Sequence, residues 1–207
     1  DPKTIDLVIL ATITPDYHVA STAPTVASEI KALNAYAFDI NAACSGFLYG
    51  MSTATSYIES GRYKKVLLIG ADMMSSIVDY TDRSTSLLFG DGAGAVLVEP
   101  SINDFGWENE YLRSDGIGAE WLKVKSGGSM YPTSQESFEN KFNSLELFSF
   151  LQKIQGCAEF KWPSGVCSNV KLCFLQINFD LDILQVSNLP HHKQQHYLKL
   201  FLILCLV

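Results

Sequence analysis

One cysteine in this 207-residue chain sits where its chemistry would be useful. In "FDINAACSGFLYG", Phe38 to Gly50, Cys44 follows a strand-like apolar run and opens a helix-like one. A thiolate there is an anion at the positive end of a helix, beside backbone N–H groups that lack helical partners. Such a setting can lower a cysteine pKa from about 8.5 by a unit or more, giving a nucleophile near neutral pH. The neighbouring Ala42, Ala43, Ser45 and Gly46 are small enough for backbone and substrate to come close. Position alone leaves two readings open: an activated nucleophile, or a buried structural thiol.

Other chemistry-bearing residues carry weaker signals. Arg83, in "DYTDRSTSLLFGDG", offers a planar, permanently charged fork suited to phosphate or base edges. Its bland alternative is a surface salt bridge with Asp79 or Asp82. Cys157, Cys167 and Cys173 lack the paired CxxC spacing of a structural zinc site, so no metal is expected. "GDGAGA", Gly90 to Ala95, looks like a nucleotide loop but runs into the apolar "AVLVEP" instead of opening a helix, which argues against a dinucleotide cofactor. Glycines leading into a strand are expected instead to admit a close backbone approach beneath a site. "SGGSMYP", Ser126 to Pro132, reads as a surface turn.

The elements that must position Cys44 are legible around it. "IDLVILAT" has the unbroken apolar character of a buried strand. "TAPTVASEIKALN" reads as a helix with threonine as N-cap and proline in its first turn, and "AYAFDIN" as a second strand. From Ser45 to Ser60, Phe47, Leu48, Met51, Ala54, Tyr57 and Ile58 recur at helical spacing, and Gly61 supplies a stop before "KKVLLIGAD". With "GAVLVEP" as a further strand, the alternation predicts an α/β fold with helices over a buried, largely parallel sheet. Ligands of such sheets gather at the carboxyl ends of the strands.

Composition bounds the rest. A net charge of −7 with only 15 Lys and Arg argues against nucleic acid as the main partner. The apolar end "LKLFLILCLV" is far shorter than the ~20 residues of a membrane-spanning helix. The cysteine usage and the absence of a signal-peptide pattern point to a reducing, cytoplasmic compartment. The opening "IDLVILAT" strand, with no methionine before it, suggests a fragment whose earlier neighbours are missing. Twelve of the fourteen glycines lie at or before Gly128 and four of the five cysteines after residue 150, so the character of the chain changes near residues 137 to 150.

"DINAACSGF" closely resembles the nucleophile segment of the thiolase-fold condensing enzymes, specifically the beta-ketoacyl-acyl-carrier-protein synthase III family. "ATITPDY", "STAPTVASEI", "LFGDGAGAVLVEP" and "SDGIGAEWLKVKSGGSMYPTS" resemble that family too, in its order, across residues 1 to 136. The resemblance raises the catalytic reading of Cys44 above the structural one. It implies a thiolase-like layered fold, incomplete here, with the N-terminal strand and helix and the C-terminal catalytic segments missing. Residues 1–100 would be the first half, carrying the nucleophile and the dimer surface; 101–136 would begin the second half; 137–207 would be a divergent or frame-altered tail.

The implied reaction is acyl transfer followed by condensation. Cys44 would take an acetyl group from acyl-CoA as a thioester, and malonyl-acyl carrier protein would decarboxylate and attack it, initiating fatty-acid synthesis. Arg83 matches the family's contact to the adenine nucleotide end of coenzyme A. His191, in "NLPHHKQQHYLKL", falls on the family's catalytic histidine, though His192, Lys193 and Gln194 depart from the motif at once. The family's asparagine and glycine-rich C-terminal strand have no counterpart. Val19 stands where the family often has a larger aromatic reaching the partner's acyl pocket. The resemblance further implies a homodimer, no resident cofactor, and acetyl-CoA as substrate only. Alternatives are a non-catalytic fragment and a related condensing enzyme of secondary metabolism.

Overall fold

The computed structural model describes residues 1–101, 106, 107, 110, 112, 114 and 116–147. His191, the four later cysteines and the apolar end lie outside the described residues. The chain divides into two compact units; the described part of the first holds residues 1–73 and 91–101 with a few residues up to 112, and that of the second holds 74–90 and residues from 114 to 147.

The first unit is built on β1, Leu7–Ala11, every residue of which is buried. It lies between β2, Tyr36–Ile40, and β3, Val66–Asp72, and runs parallel to both. β4, Gly92–Val98, then pairs with β3 in the antiparallel sense, giving the order β2-β1-β3-β4. Two of the three strand pairings are parallel, as expected, and β4 adds an antiparallel edge.

The two faces of β1 serve different helices. Val8 and Leu10 pack with Ala23 and Ala27 of α1, Thr22–Glu29, whereas Leu7 and Ile9 pack with Ala54 of α2, Gly46–Glu59, and with Val66 and Leu68. The chain crosses from β1 to β2 on one side and from β2 back over β1 to β3 on the other. Crossovers of one hand taken in opposite directions put their helices on opposite faces. A strand buried on both faces must be apolar throughout, which explains the unbroken run. Burying a side chain such as Leu7, Ile9 or Leu68 contributes about 1.5–3 kcal/mol.

α2 seats closely because two of its residues have no side chain. A Cβ on Gly46 would lie 3.1 Å from the Ala11 Cβ, and one on Gly50 only 2.5 Å from Leu68 Cδ1. Its apolar positions follow the expected face except Leu48, which is 46% exposed. Gly61, at φ +72°, ends the helix as expected: its N–H donates to the Ile58 carbonyl and that of Arg62 to Tyr57.

α1 departs from expectation at both ends. Thr22 is its first helical residue, and Ser21, at the cap position, makes no side-chain cap bond. Instead the carboxylate of Asp39, on β2, accepts the Thr22 and Ala23 N–H groups at 2.7 Å each. The Thr22 hydroxyl accepts the Asp16 N–H at 3.0 Å and so serves the preceding loop. The helix stops at Glu29, short of the expected Asn34, because Lys31 turns left-handed at φ +63°. The Ala32 N–H then reaches the Ala27 carbonyl at 2.8 Å and closes the end.

In the second unit β5, Leu122–Val124, pairs antiparallel with β6, Leu145–Leu147, and α3, Gln135–Glu139, lies between them in sequence. Ser134 and Ser137 cap α3 reciprocally. The Ser126–Pro132 stretch is a surface turn, as expected, with Gly127 at φ +109° and Met130 94% exposed.

Candidate active site

Cys44 lies in one turn of 3₁₀ helix, Ala43–Ser45, that leads directly into α2. Reaching it requires Ala43 to take φ +46°, a left-handed conformation that costs an alanine about 1 kcal/mol or more. No side chain caps the start of α2; instead the Ser45 N–H donates to the Ala42 carbonyl at 3.1 Å and the Gly46 N–H to the Ala43 carbonyl, closing the 3₁₀ turn. The residue is exposed, and the structure thus brings a thiol to the surface at the head of a fourteen-residue helix, as the sequence predicts.

Three strand ends are tied together on this side of the sheet. The Thr12 N–H donates to the Ile40 carbonyl at 3.1 Å, joining the end of β1 to that of β2. At the end of β3, Asp72 Oδ1 accepts the Thr12 hydroxyl at 3.1 Å, the Ile13 N–H at 2.8 Å and the Thr14 hydroxyl at 3.1 Å. Thr14 Oγ1 in turn accepts the Met73 N–H at 2.8 Å. These contacts hold the loop after β1, and the sequence reading missed them. The signal was present in "IGAD" and "ATIT", an acid and two threonines where parallel strands end, but strand pairing had to be known before they could be matched.

The electrostatics correct one expectation. The Cys44 thiol is pushed up from its ordinary value, not down. Enough protein surrounds the sulfur to strip part of its hydration, even though the residue as a whole is exposed; its own backbone N–H opposes that rise, and the negative charge of Asp72 adds to it. A higher pKa leaves less thiolate at neutral pH but makes that thiolate intrinsically more nucleophilic.

The Gly90–Ala95 stretch corrects another. Among the described residues, a Cβ on Gly90, Gly92 or Gly94 would meet nothing within 4 Å. The close approaches occur at Gly46, Gly50 and Gly70, where α2 and the sheet press together; a Cβ on Gly70 would lie 3.2 Å from Phe47.

Comparison with known proteins decides the family. The sequence profile described as 3-oxoacyl-(acyl-carrier-protein) synthase III matches residues 38–116. The chain is 46% identical over 178 residues to beta-ketoacyl-acyl-carrier-protein synthase III 2 of Bacteroides thetaiotaomicron, a match covering 86% of this chain and 51% of that one. It is 56% identical over 143 residues to the synthase III of Chlorobium chlorochromatii, covering 68% and 44%. The chain belongs to the 3-oxoacyl-(acyl-carrier-protein) synthase III family. A crystal structure of a 3-oxoacyl-(acyl-carrier-protein) synthase III superposes with a TM-score of 0.68 at 31% identity, over 76% of this chain and 50% of that one. The fold is therefore the thiolase-like α/β fold of this family, and the chain spans about half the length of the relatives it matches. The Bacteroides match is longer than the 136 residues that carry the motifs, so it continues into the part read as divergent.

Within this synthase III chain, Cys44 belongs to the first unit and Arg83 to the second. Neither expected partner holds Arg83. Asp79 pairs with Lys141 at 2.7 Å and accepts the Thr81 hydroxyl and N–H, while Asp82 accepts the Ser84 hydroxyl and N–H. Asp79 is lowered to about 2, first by Lys141 and then by Thr81; Asp82 is lowered chiefly by Ser84. Arg83 is exposed within the turn that Asp82 and Ser84 close and, among the described residues, makes no ion pair. Among the described residues no helix is long and apolar enough to cross a membrane.

Proposed function

We propose that Cys44 is the acyl-accepting nucleophile of a condensing acyltransferase that initiates fatty-acid synthesis. The observation that carries this reading is an exposed thiol at the head of α2, above three joined strand ends, in a chain of the synthase III family. The Cys44 sulfur, once deprotonated, attacks the thioester carbon of acetyl-CoA; the S-acetyl bond forms and the coenzyme leaves as its thiol. The positive end of the α2 dipole favours the negative charge that develops there. Malonyl-acyl carrier protein then loses carbon dioxide, its carbanion attacks the Cys44 thioester, and the thiol is released.

Arg83, exposed in the turn closed by Asp82 and Ser84 and without an ion pair among the described residues, fits the phosphates of coenzyme A. His191 would stabilise the carbanion. The compartment is cytoplasmic and the assembly a homodimer; β2, at the end of the described strand order, leaves its outer edge available for pairing. Val19, fully exposed at φ +76°, would then bear on the acyl site of a partner copy, where its small size favours longer primers.

Intact mass spectrometry after incubation with acetyl-CoA tests the first step: one acetyl adduct is expected, and none in Cys44→Ser. A folded wild-type chain without an adduct overturns the nucleophile assignment. Carbon dioxide release from malonyl-acyl carrier protein by the acylated chain separates full condensation from acylation alone.

A further inference from the structure

Asp72 has no part in the reaction just described, yet its carboxylate is the centre of the hydrogen-bonded knot at the strand ends. A single oxygen, Oδ1, takes three donors from Thr12, Ile13 and Thr14, and Thr14 returns the chain to the backbone of Met73. Four hydrogen bonds thus fasten the loop after β1 to the end of β3, and a fifth, from the Thr14 N–H to Thr12 Oγ1 at 3.1 Å, braces the loop internally. Ala11, the last residue of β1, lies directly under Gly46, two residues beyond the thiol. A support fixed at Thr12 to Thr14 therefore sets the height of Cys44 over the sheet.

We propose that Asp72 is a positioning residue for Cys44, fastening the loop after β1 to the end of β3 beneath the thiol. The charged groups on the surrounding elements are Asp16 and His18 in that loop, Asp39 on β2, Glu59 at the far end of α2, and Asp72 on β3. Asp39 is turned to the α1 amides, and the field that acts on the sulfur comes from Asp72. Its sign adds to the desolvation that already pushes the thiol up. The functional meaning rests on Cys44 being the nucleophile; the electrostatic and geometric claims stand without it.

The test is the pH profile of Cys44 alkylation by iodoacetamide in the full chain, read by mass spectrometry of the Cys44 peptide. Asp72→Asn keeps an oxygen for the three donors but removes the charge. Its profile midpoint should move to lower pH, with labelling at pH 7 faster by about two-fold or more. A folded Asp72→Asn chain with an unmoved midpoint overturns the electrostatic half. Thr14→Val keeps the charge and removes two of the four tethering bonds; it should change the plateau labelling rate and speed hydrogen exchange at Ile13 while leaving the midpoint in place. Unchanged plateau and exchange in Thr14→Val overturn the tether half, and this variant decides the matter if Asp72→Asn does not fold. A chain that passes these tests but forms no acetyl adduct would leave Asp72's role intact and remove only the nucleophile reading.

Discussion

Replacing Asp39 by alanine should cost far more stability than replacing Ser21, the residue that occupies the cap position of α1. The Asp39 carboxylate receives two N–H groups at 2.7 Å, from Thr22 and Ala23, at the positive end of the helix. Hydrogen bonds to a charged group contribute about 1.5–3 kcal/mol each, but N–H groups at a half-buried helix end recover part of that from water. A helix cap removed by substitution costs typically about 1 kcal/mol, and the loss of the charge from the helix terminus adds about 0.3–1 kcal/mol. The sum for Asp39→Ala is about 2 kcal/mol. Asp39→Asn retains one acceptor and should lose about half of that. Ser21→Ala should lose less than about 0.5 kcal/mol, since its side chain makes no cap bond. Urea unfolding followed by circular dichroism reads the difference: with a slope of about 1–3 kcal/mol per molar, Asp39→Ala lowers the midpoint by about 1 M. Equal losses in Ser21→Ala and Asp39→Ala, or a loss below about 0.5 kcal/mol in the latter, would refute the assignment of the cap to a strand residue.

Gly50→Ala brings a Cβ within 2.5 Å of Leu68 Cδ1, in a side chain with no exposed surface; overpacking of about 1–3 kcal/mol should outweigh the helix-propensity gain of about 1 kcal/mol, and Leu68→Val in the same chain should recover part of the loss on thermal unfolding. Lys31→Gly should raise the melting temperature, because lysine at φ +63° carries left-handed strain of about 1 kcal/mol that glycine does not. Asp79 sits at about 2, below its unfolded value of about 3.9, so its contribution to stability is complete above the unfolded value and disappears as pH falls through about 2. A carboxyl NMR titration should place Asp79 there and show it rising toward the ordinary range in Lys141→Met.

What could be read in advance was local. β1 announced itself because burial on both faces leaves no polar position, and α2 because its apolar spacing ends at Gly61, a residue suited to φ +72°. The end of α1 was hidden because Lys31, not glycine, makes the left-handed turn, and its start because the cap comes from a strand 17 residues away. The family was legible from the motifs around Cys44, but the thiol's pKa was not. The helix-end rule sees only the neighbouring N–H groups, whereas desolvation and Asp72 act through the assembled sheet. Arg83 shows the reverse: its nearby acids suggested a salt bridge, yet each is engaged by hydroxyl and N–H groups of its own turn, with Lys141 also on Asp79.

The central place of β1 also orders events in time. Its neighbours come later in the chain on both sides, and Thr12 meets Asp72 across a separation of 60 residues. A growing polypeptide can therefore form α2 and expose Cys44 before the third strand exists to complete its footing. Closing so long a loop is slow relative to helix formation, so the thiol acquires its mature reactivity only in the last cooperative step. Pulsed labelling of Cys44 during refolding would then act as a clock for sheet completion, with the site a product of the whole unit instead of its nucleus.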